Sequence, residues 1–200
     1  MAAAAFAVYL LFGSLACCWR GWLQYRRTGD HGFRGITGPI LSIERLGASL
    51  LVLGAFAGLL ALVTSLGASA PCRLCLPAPV RVGGLALMVL GAALALVAQI
   101  DMGASWRVGV DPAEATGLVT AGLFRWVRNP IFAATLAVFL GLLLAVPHVL
   151  AGVAFIATIA GIELHVRTVE EPYLIRVHGE RYLAYARRVG RFVPRLGRMK

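Results

Sequence analysis

Residues Ile131–Ile162 read IFAATLAVFLGLLLAVPHVLAGVAFIATIAGI, an unbroken run without Asp, Glu, Lys or Arg. At 1.5 Å per residue, one helix of that length would extend about 48 Å, well past a hydrocarbon core of roughly 30 Å. Pro147 stands at its middle, where a missing N–H and a ring clash interrupt a helix. The stretch therefore predicts two short spans, Ile131–Val146 and Val149–Ile162, joined by a very tight turn at Pro147-His148.

Upstream lie three more apolar segments, Ala2–Cys18, Leu46–Ala70 and Val80–Ile100. The chain is 60% hydrophobic and 14% charged, against about 25% charged residues in soluble domains. The expected fold is all-α: a polytopic transmembrane helical protein of about five spans, with a tight C-terminal helix hairpin and a cytoplasmic amphipathic tail. Its 200 residues suit a single integral membrane domain over residues 1–200. Residues 1–100 would supply three N-terminal spans and residues 101–200 the functional core. The first run lacks the basic start of a signal peptide, and Trp19-Arg20 stands where small residues would mark a cleavage site, so an uncleaved span is expected.

The net charge of +10 has a topological explanation. With five spans and the N-terminus outside, 17 basic residues fall on the cytoplasmic side and only Arg73 and Arg81 outside, as the positive-inside rule requires. Nucleic-acid binding is not expected, because no base-reading module accompanies the charge. Lys200 is the only lysine, an arginine bias that points to a high-GC bacterium and hence to its cytoplasmic membrane. Arg20 to Gly38, polar and Gly-rich, reads as a surface loop. Asp111-Pro112-Ala113-Glu114 reads as a helix start, with Asp as N-cap, Pro at the first position and Glu at the third. The tail Glu163 to Val189 reads as an amphipathic helix punctuated by Pro172 and His178-Gly179.

Two polar features could carry chemistry. Spacings of three and four place Glu163, Arg167 and the Glu170–Glu171 pair on one helical face. A carboxylate at the end of a span is costly unless paired or wet, so this is either a functional cluster or an interfacial salt-bridge ladder. The second is Gly122-Leu123-Phe124-Arg125-Trp126-Val127-Arg128-Asn129-Pro130-Ile131-Phe132, leading into the fourth span. Asn129 before Pro130 favours an extended entry to a helix. On its own this is also what an interfacial belt of aromatics and arginine looks like.

Together the two features resemble the core of the isoprenylcysteine carboxyl methyltransferase and phospholipid methyltransferase superfamily. Its first block, L-V-T-x-G-x-Y and then R-H-P-x-Y, corresponds to Leu118-Val119-Thr120-Ala121-Gly122-Leu123-Phe124 and Arg128-Asn129-Pro130-Ile131-Phe132. Its second, E-E-x-x-L and then F-G-x-x-Y-x-x-Y, corresponds to Glu170-Glu171-Pro172-Tyr173-Leu174 and His178-Gly179-Glu180-Arg181-Tyr182-Leu183-Ala184-Tyr185, with Pro194 beyond. The likeness covers roughly residues 116–194, and a helix hairpin separates the blocks in that family too. Four positions depart from the pattern: Asn129 replaces His, Phe124 and Phe132 replace Tyr, and His178 replaces Phe.

The resemblance implies a membrane methyltransferase that uses S-adenosylmethionine at its cytoplasmic side. Carried over by position, Thr116, Leu118, Val119, Phe124, Asn129, Pro130, Phe132 and Glu170 would form the cofactor pocket. Arg128 suits the cofactor's carboxylate, and aromatic faces suit its sulfonium cation. Arg167 is the candidate for holding the methyl acceptor. The acceptor is expected to be lipophilic and to enter from the bilayer among the membrane lipids. The expected reaction is O-methylation of a carboxylate, which needs no general base. A phospholipid amine or a small thiol is the alternative, and there Glu171 could assist deprotonation.

A different class of function rests on Cys72-Arg73-Leu74-Cys75 in the predicted outer loop, where disulfides are permitted. A membrane thiol–disulfide oxidoreductase could use this pair, although Cys17 and Cys18 lie at the other end of the first span. Zinc takes about four ligands and no second cluster accompanies the pair, so no metal is expected. A non-catalytic membrane scaffold is the remaining alternative.

Overall fold

The computed structural model describes residues 1–33, 39, 42–67, 76–109 and 117–199. Helix α1 (Ala2–Gly13), a π-helical turn (Ser14–Trp19) and α2 (Arg20–Thr28) run as one continuous helix. Helices α3 (Ile43–Leu66) and α4 (Ala78–Asp101) have 24 residues each, about 36 Å long and enough to cross a bilayer. Next come α5 (Pro130–Ala145) and α6 (Val149–His165). A second π-helical turn (Val166–Glu170) carries α6 into α7 (Glu171–His178), and α8 (Glu180–Arg188) follows Gly179. Four helical stretches are long and apolar enough to span a membrane, and α5 is a shorter apolar helix. The protein is an integral membrane protein of all-helical fold; among the described residues, extended pairing is confined to two isolated bridges.

The hairpin forms for the reasons its sequence suggests. Val146 leaves helical geometry at φ −128°, Pro147 cannot rejoin α5, and His148 caps α6 by accepting a bond from Leu150 N at 3.1 Å. Two boundaries differ from the sequence-based expectation. Residues Arg20–Thr28 are helical, not loop, because the first span continues straight into its polar turns and ends at Gly29, left-handed at φ +76°. The last span does not stop at Ile162: the helix continues to His178. Pro172 cannot donate to the carbonyl of Thr168, and the π-helical turn just before it absorbs the lost bond without a break.

The bundle consists of two close-packed pairs, α4 with α5 and α3 with α6. A Cβ at Gly141 would lie 2.6 Å from Gly84 O and 2.7 Å from Met88 N, so these backbones touch. A Cβ at Gly161 would lie 2.9 Å from both Gly47 O and Leu51 N. In lipid, where helices gain no hydrophobic energy by meeting, such small residues let dispersion and close backbone contact hold the pairs. Met88, Val138, Leu142 and Leu62 fill the centre without exposure. Both pairs lead at the same end into the polar segments that form the site.

Candidate active site

The segment entering α5 is fixed first by a glycine. Gly122 has φ +57°, and a Cβ there would overlap the Asp101 carboxylate. Asp101, at the end of α4, accepts a bond from Leu123 N at 2.9 Å and so starts the short 3-10 turn Gly122–Arg125. The chain then runs beside the residues that follow α8. Arg128 N donates to Gly190 O at 2.8 Å, and Asn129 donates to Arg191 O from its backbone at 3.0 Å and its side chain at 3.2 Å. Gly190 has no room for a side chain, since a Cβ would lie 2.5 Å from Leu196 O. The beginning of α5 and the end of the chain are therefore one unit.

A buried ionic centre closes this unit. Arg128 Nη2 donates to Glu171 Oε1 at 2.8 Å, with side chains 1% and 7% exposed. Arg191 grips both carboxylate oxygens of Glu171, each at 2.9 Å. The other Arg128 bonds go to the carbonyls of Ala186 (3.0 Å), Val189 (2.6 Å) and Gly197 (3.1 Å). Two guanidinium groups around one carboxylate form charge-assisted bonds in a water-poor setting. The Arg191 pKa is raised, chiefly by its hydrogen bond to Glu171. Tyr182 and Tyr185 pack beside this centre, and the Tyr185 hydroxyl donates to Phe124 O. Burial is the main reason that the Tyr182 phenol is pushed up to about 12.

Above the ionic centre lies a cavity of about 390 Å³, within the range of small-molecule sites. Leu118, Val119, Phe124 and Arg128 line it, as do Asn129, Pro130, Phe132 and Glu170. The described residues expected around a cofactor are thus all in one wall system, while Thr116 lies outside the described residues. Neither expected catalytic residue is in that lining. Arg167 is 57% exposed and pairs with Glu163, and Glu171 is held below by the two arginines. Cys72, Cys75 and the helix start at 111–114 also lie outside the described residues. Cys17 and Cys18 are exposed free thiols.

Several lining residues were not singled out as ligand-binding from the sequence. His165 Nε2 is 3.5 Å from Glu170 Oε1, and its ring meets Phe132 edge-on at 6.0 Å. Tyr173 and Tyr182 contribute aromatic surface, and Arg107 lies over the Tyr173 ring at 4.9 Å. Gln99 and Trp106 come from the end of α4 and the turn beyond. Regular helical spacing hides this contact: five residues apart, His165 and Glu170 would point about 140° away from each other on an α-helix, and the π-helical turn Val166–Glu170 brings them together. At its apolar end the cavity reaches Leu51 and the outward-facing Val52 of α3. Among the described residues no group of three or more His, Cys, Asp or Glu could hold a metal ion.

The family model described as phospholipid methyltransferase matches residues 80–181, from the first turn of α4 to the first turn of α8. The chain belongs to that family. This agrees with the likeness of the two sequence blocks, which face each other across the cavity. Neither the curated proteins nor the solved structures contain a match. In this phospholipid methyltransferase family member, the matched region holds Arg128 and Glu171, whereas Arg191 lies beyond it and completes the ionic centre.

Proposed function

We propose that the protein is an S-adenosylmethionine-dependent methyltransferase whose acceptor is a lipophilic molecule reaching the cavity from the bilayer. The observation that carries this reading is the convergence of both motif blocks on one cavity that also extends to the apolar face of α3. Family membership supports the methyltransferase class, and phospholipid methyltransferases use this cofactor in general.

The residues fit such a cofactor. Phe124, Phe132 and Tyr182 offer aromatic faces to a sulfonium, and the Glu170 carboxylate can accept from amino or hydroxyl groups. Gln99 and Arg128 bring further polar side chains to the same lining. When bound, S-adenosylmethionine supplies an activated methyl group for in-line displacement. The protein's own part is alignment: Asn129 and Pro130 fix the entry to α5, and the Arg128–Glu171–Arg191 centre keeps the floor rigid. Arg167 stays a candidate contact for the acceptor's outer portion, and Glu171 takes the part of an anchor for the two arginines.

The acceptor reading favoured here is the amine of a phospholipid headgroup. His165 beside Glu170 gives the cavity a group that can take a proton, which an amine must lose and a carboxylate need not. Carboxylate O-methylation is the alternative, and mild base separates the two, since only a methyl ester releases the transferred methyl group as methanol. The distribution of arginine supports a cytoplasmic site with the N-terminus outside, in a bacterial inner membrane. A thiol–disulfide oxidoreductase acting through Cys72 and Cys75 predicts that Cys72→Ser abolishes activity, which methyl transfer does not. The deciding experiment is calorimetric titration of the detergent-purified protein with S-adenosylmethionine. Saturable binding that Glu170→Ala removes is expected; a folded protein that does not bind overturns the proposal.

A further inference from the structure

Arg20 is fully buried, yet among the described residues its partners are all neutral. Nε donates to Gln99 O at 3.3 Å, Nη1 to Gln24 Oε1 at 3.2 Å and Nη2 to Gly103 O. The guanidinium also lies 4.8 Å from the centre of the Trp106 ring. Around it, Gln24 Nε2 donates to Ala104 O at 2.8 Å and Gln99 Nε2 to Ala16 O at 3.2 Å. The first helix thus grips the end of α4 and the turn after it at five carbonyl, amide and ring positions. A buried cation without a carboxylate is costly, so packing alone does not account for an arginine here. Arginine's planar fork can hold two carbonyls that diverge, which a lysine ammonium on one point cannot do.

What this fork holds is a wall of the cavity. Gln99, Met102, Ser105 and Trp106 all line it, and Trp106 is 2% exposed. The bond from Gln99 Nε2 to Ala16 O orients the amide, leaving Oε1 buried and without a partner among the described residues. Arg20 lies sixty positions before the start of the region matched by the family, on a helix that otherwise reads as an anchor. We propose that Arg20 is a positioning residue for ligand binding: its fork fixes the Gln99–Trp106 segment as the cavity wall. The first helix is then part of the binding site. The inference rests on the methyltransferase reading for its ligand, not for its geometry.

The test uses the full chain in detergent with Arg20→Lys and Gln24→Ala. Arg20→Lys keeps the charge and loses the fork, and is expected to raise the Kd for S-adenosylmethionine by about tenfold while kcat at saturation changes by less than about twofold. Gln24→Ala, which touches no ligand, is expected to give a smaller rise of about threefold. Both should speed hydrogen exchange of the amides between Met102 and Trp106. Wild-type affinity in Arg20→Lys overturns the proposal. Should Arg20→Lys not fold, unchanged affinity and unchanged exchange in Gln24→Ala overturn it equally. Failure of the wild type to bind the cofactor would instead sink the methyltransferase reading. The exchange measurement would still decide whether Arg20 holds the wall.

Discussion

Arg128 and Glu171, 43 positions apart in the chain, meet at 2.8 Å in a pocket that leaves their side chains 1% and 7% exposed. The contact joins the start of α5 to the start of α7. It also explains why two short motif blocks on either side of a membrane hairpin occur together. Neither block has a floor without the other, and Arg191 from the chain end seals the join.

Removing one partner of this centre leaves the other charge buried. Glu171→Ala leaves Arg128 buried among carbonyls alone and is expected to destabilise the protein by about 3–5 kcal/mol, whereas Arg128→Ala should cost less, because Arg191 still holds both oxygens of Glu171. The double variant should lose clearly less than the sum, because neither charge is then stranded against the other. Thermal unfolding in detergent measures all three. Additive losses would mean that the pair is not coupled as the distance indicates.

Gly122→Ala tests the entry to α5. The substitution puts a side chain at φ +57° and drives it into the Asp101 carboxylate that caps the following turn. A cost of about 1–3 kcal/mol is expected from strain of this kind, together with weaker cofactor binding. Asp101→Ala should relieve the clash but lose the bond to Leu123 N, so it should restore binding only in part. Calorimetry on the single and double variants checks this order.

Glu170 and Arg167 are three residues apart and should behave differently. Glu170 lines the cavity, so Glu170→Ala should abolish measurable cofactor binding. Arg167 is 57% exposed and pairs with a 38% exposed Glu163, an arrangement worth less than about 1 kcal/mol. Arg167→Ala should therefore leave stability and cofactor affinity near wild type. If Arg167 meets the acceptor, the variant raises the acceptor's KM; an unchanged KM would remove it from the site.

The spans were legible because a bilayer demands long uncharged runs, and the hairpin because Pro147 sits where one helix would be too long. The cavity lining along Leu118–Phe132 was legible through its motif. Arg20 was not: an arginine at the end of an apolar run, between Trp19 and Trp22, reads as an interfacial charge, and only the packing of α2 on the turn after α4 buries it. Arg191 reads in the sequence only as one of the cytoplasmic charges. The clue to it was Glu171, an acid beside an apolar span that needed a second cation, but sequence spacing across a turn does not say which arginine returns. The two π-helical turns left no hydrophobic signature, so the helices extend beyond the ends that hydropathy suggested.

Tyr182 gives the site a predictable response to alkali. Its phenol is 1% exposed and raised to about 12, mainly by burial and further by the Glu171 charge. In the unfolded chain it ionises near its ordinary 10. Below that pH both states keep the proton and the folded protein has its full stability. As pH rises further the unfolded chain gives up its proton first and so binds fewer protons, and stability falls with pH until the folded phenol also ionises near 12. Tyr182→Phe removes this group from the balance. The variant's thermal midpoint should therefore decline less steeply than that of the wild type above pH 10. Some decline should remain, because burial also raises the Tyr185 pKa. The same scan followed by tyrosinate absorbance should show one late-ionising phenol fewer in the variant. Parallel declines in the two proteins would mean that Tyr182 is open to solvent and that the floor of the cavity is not closed.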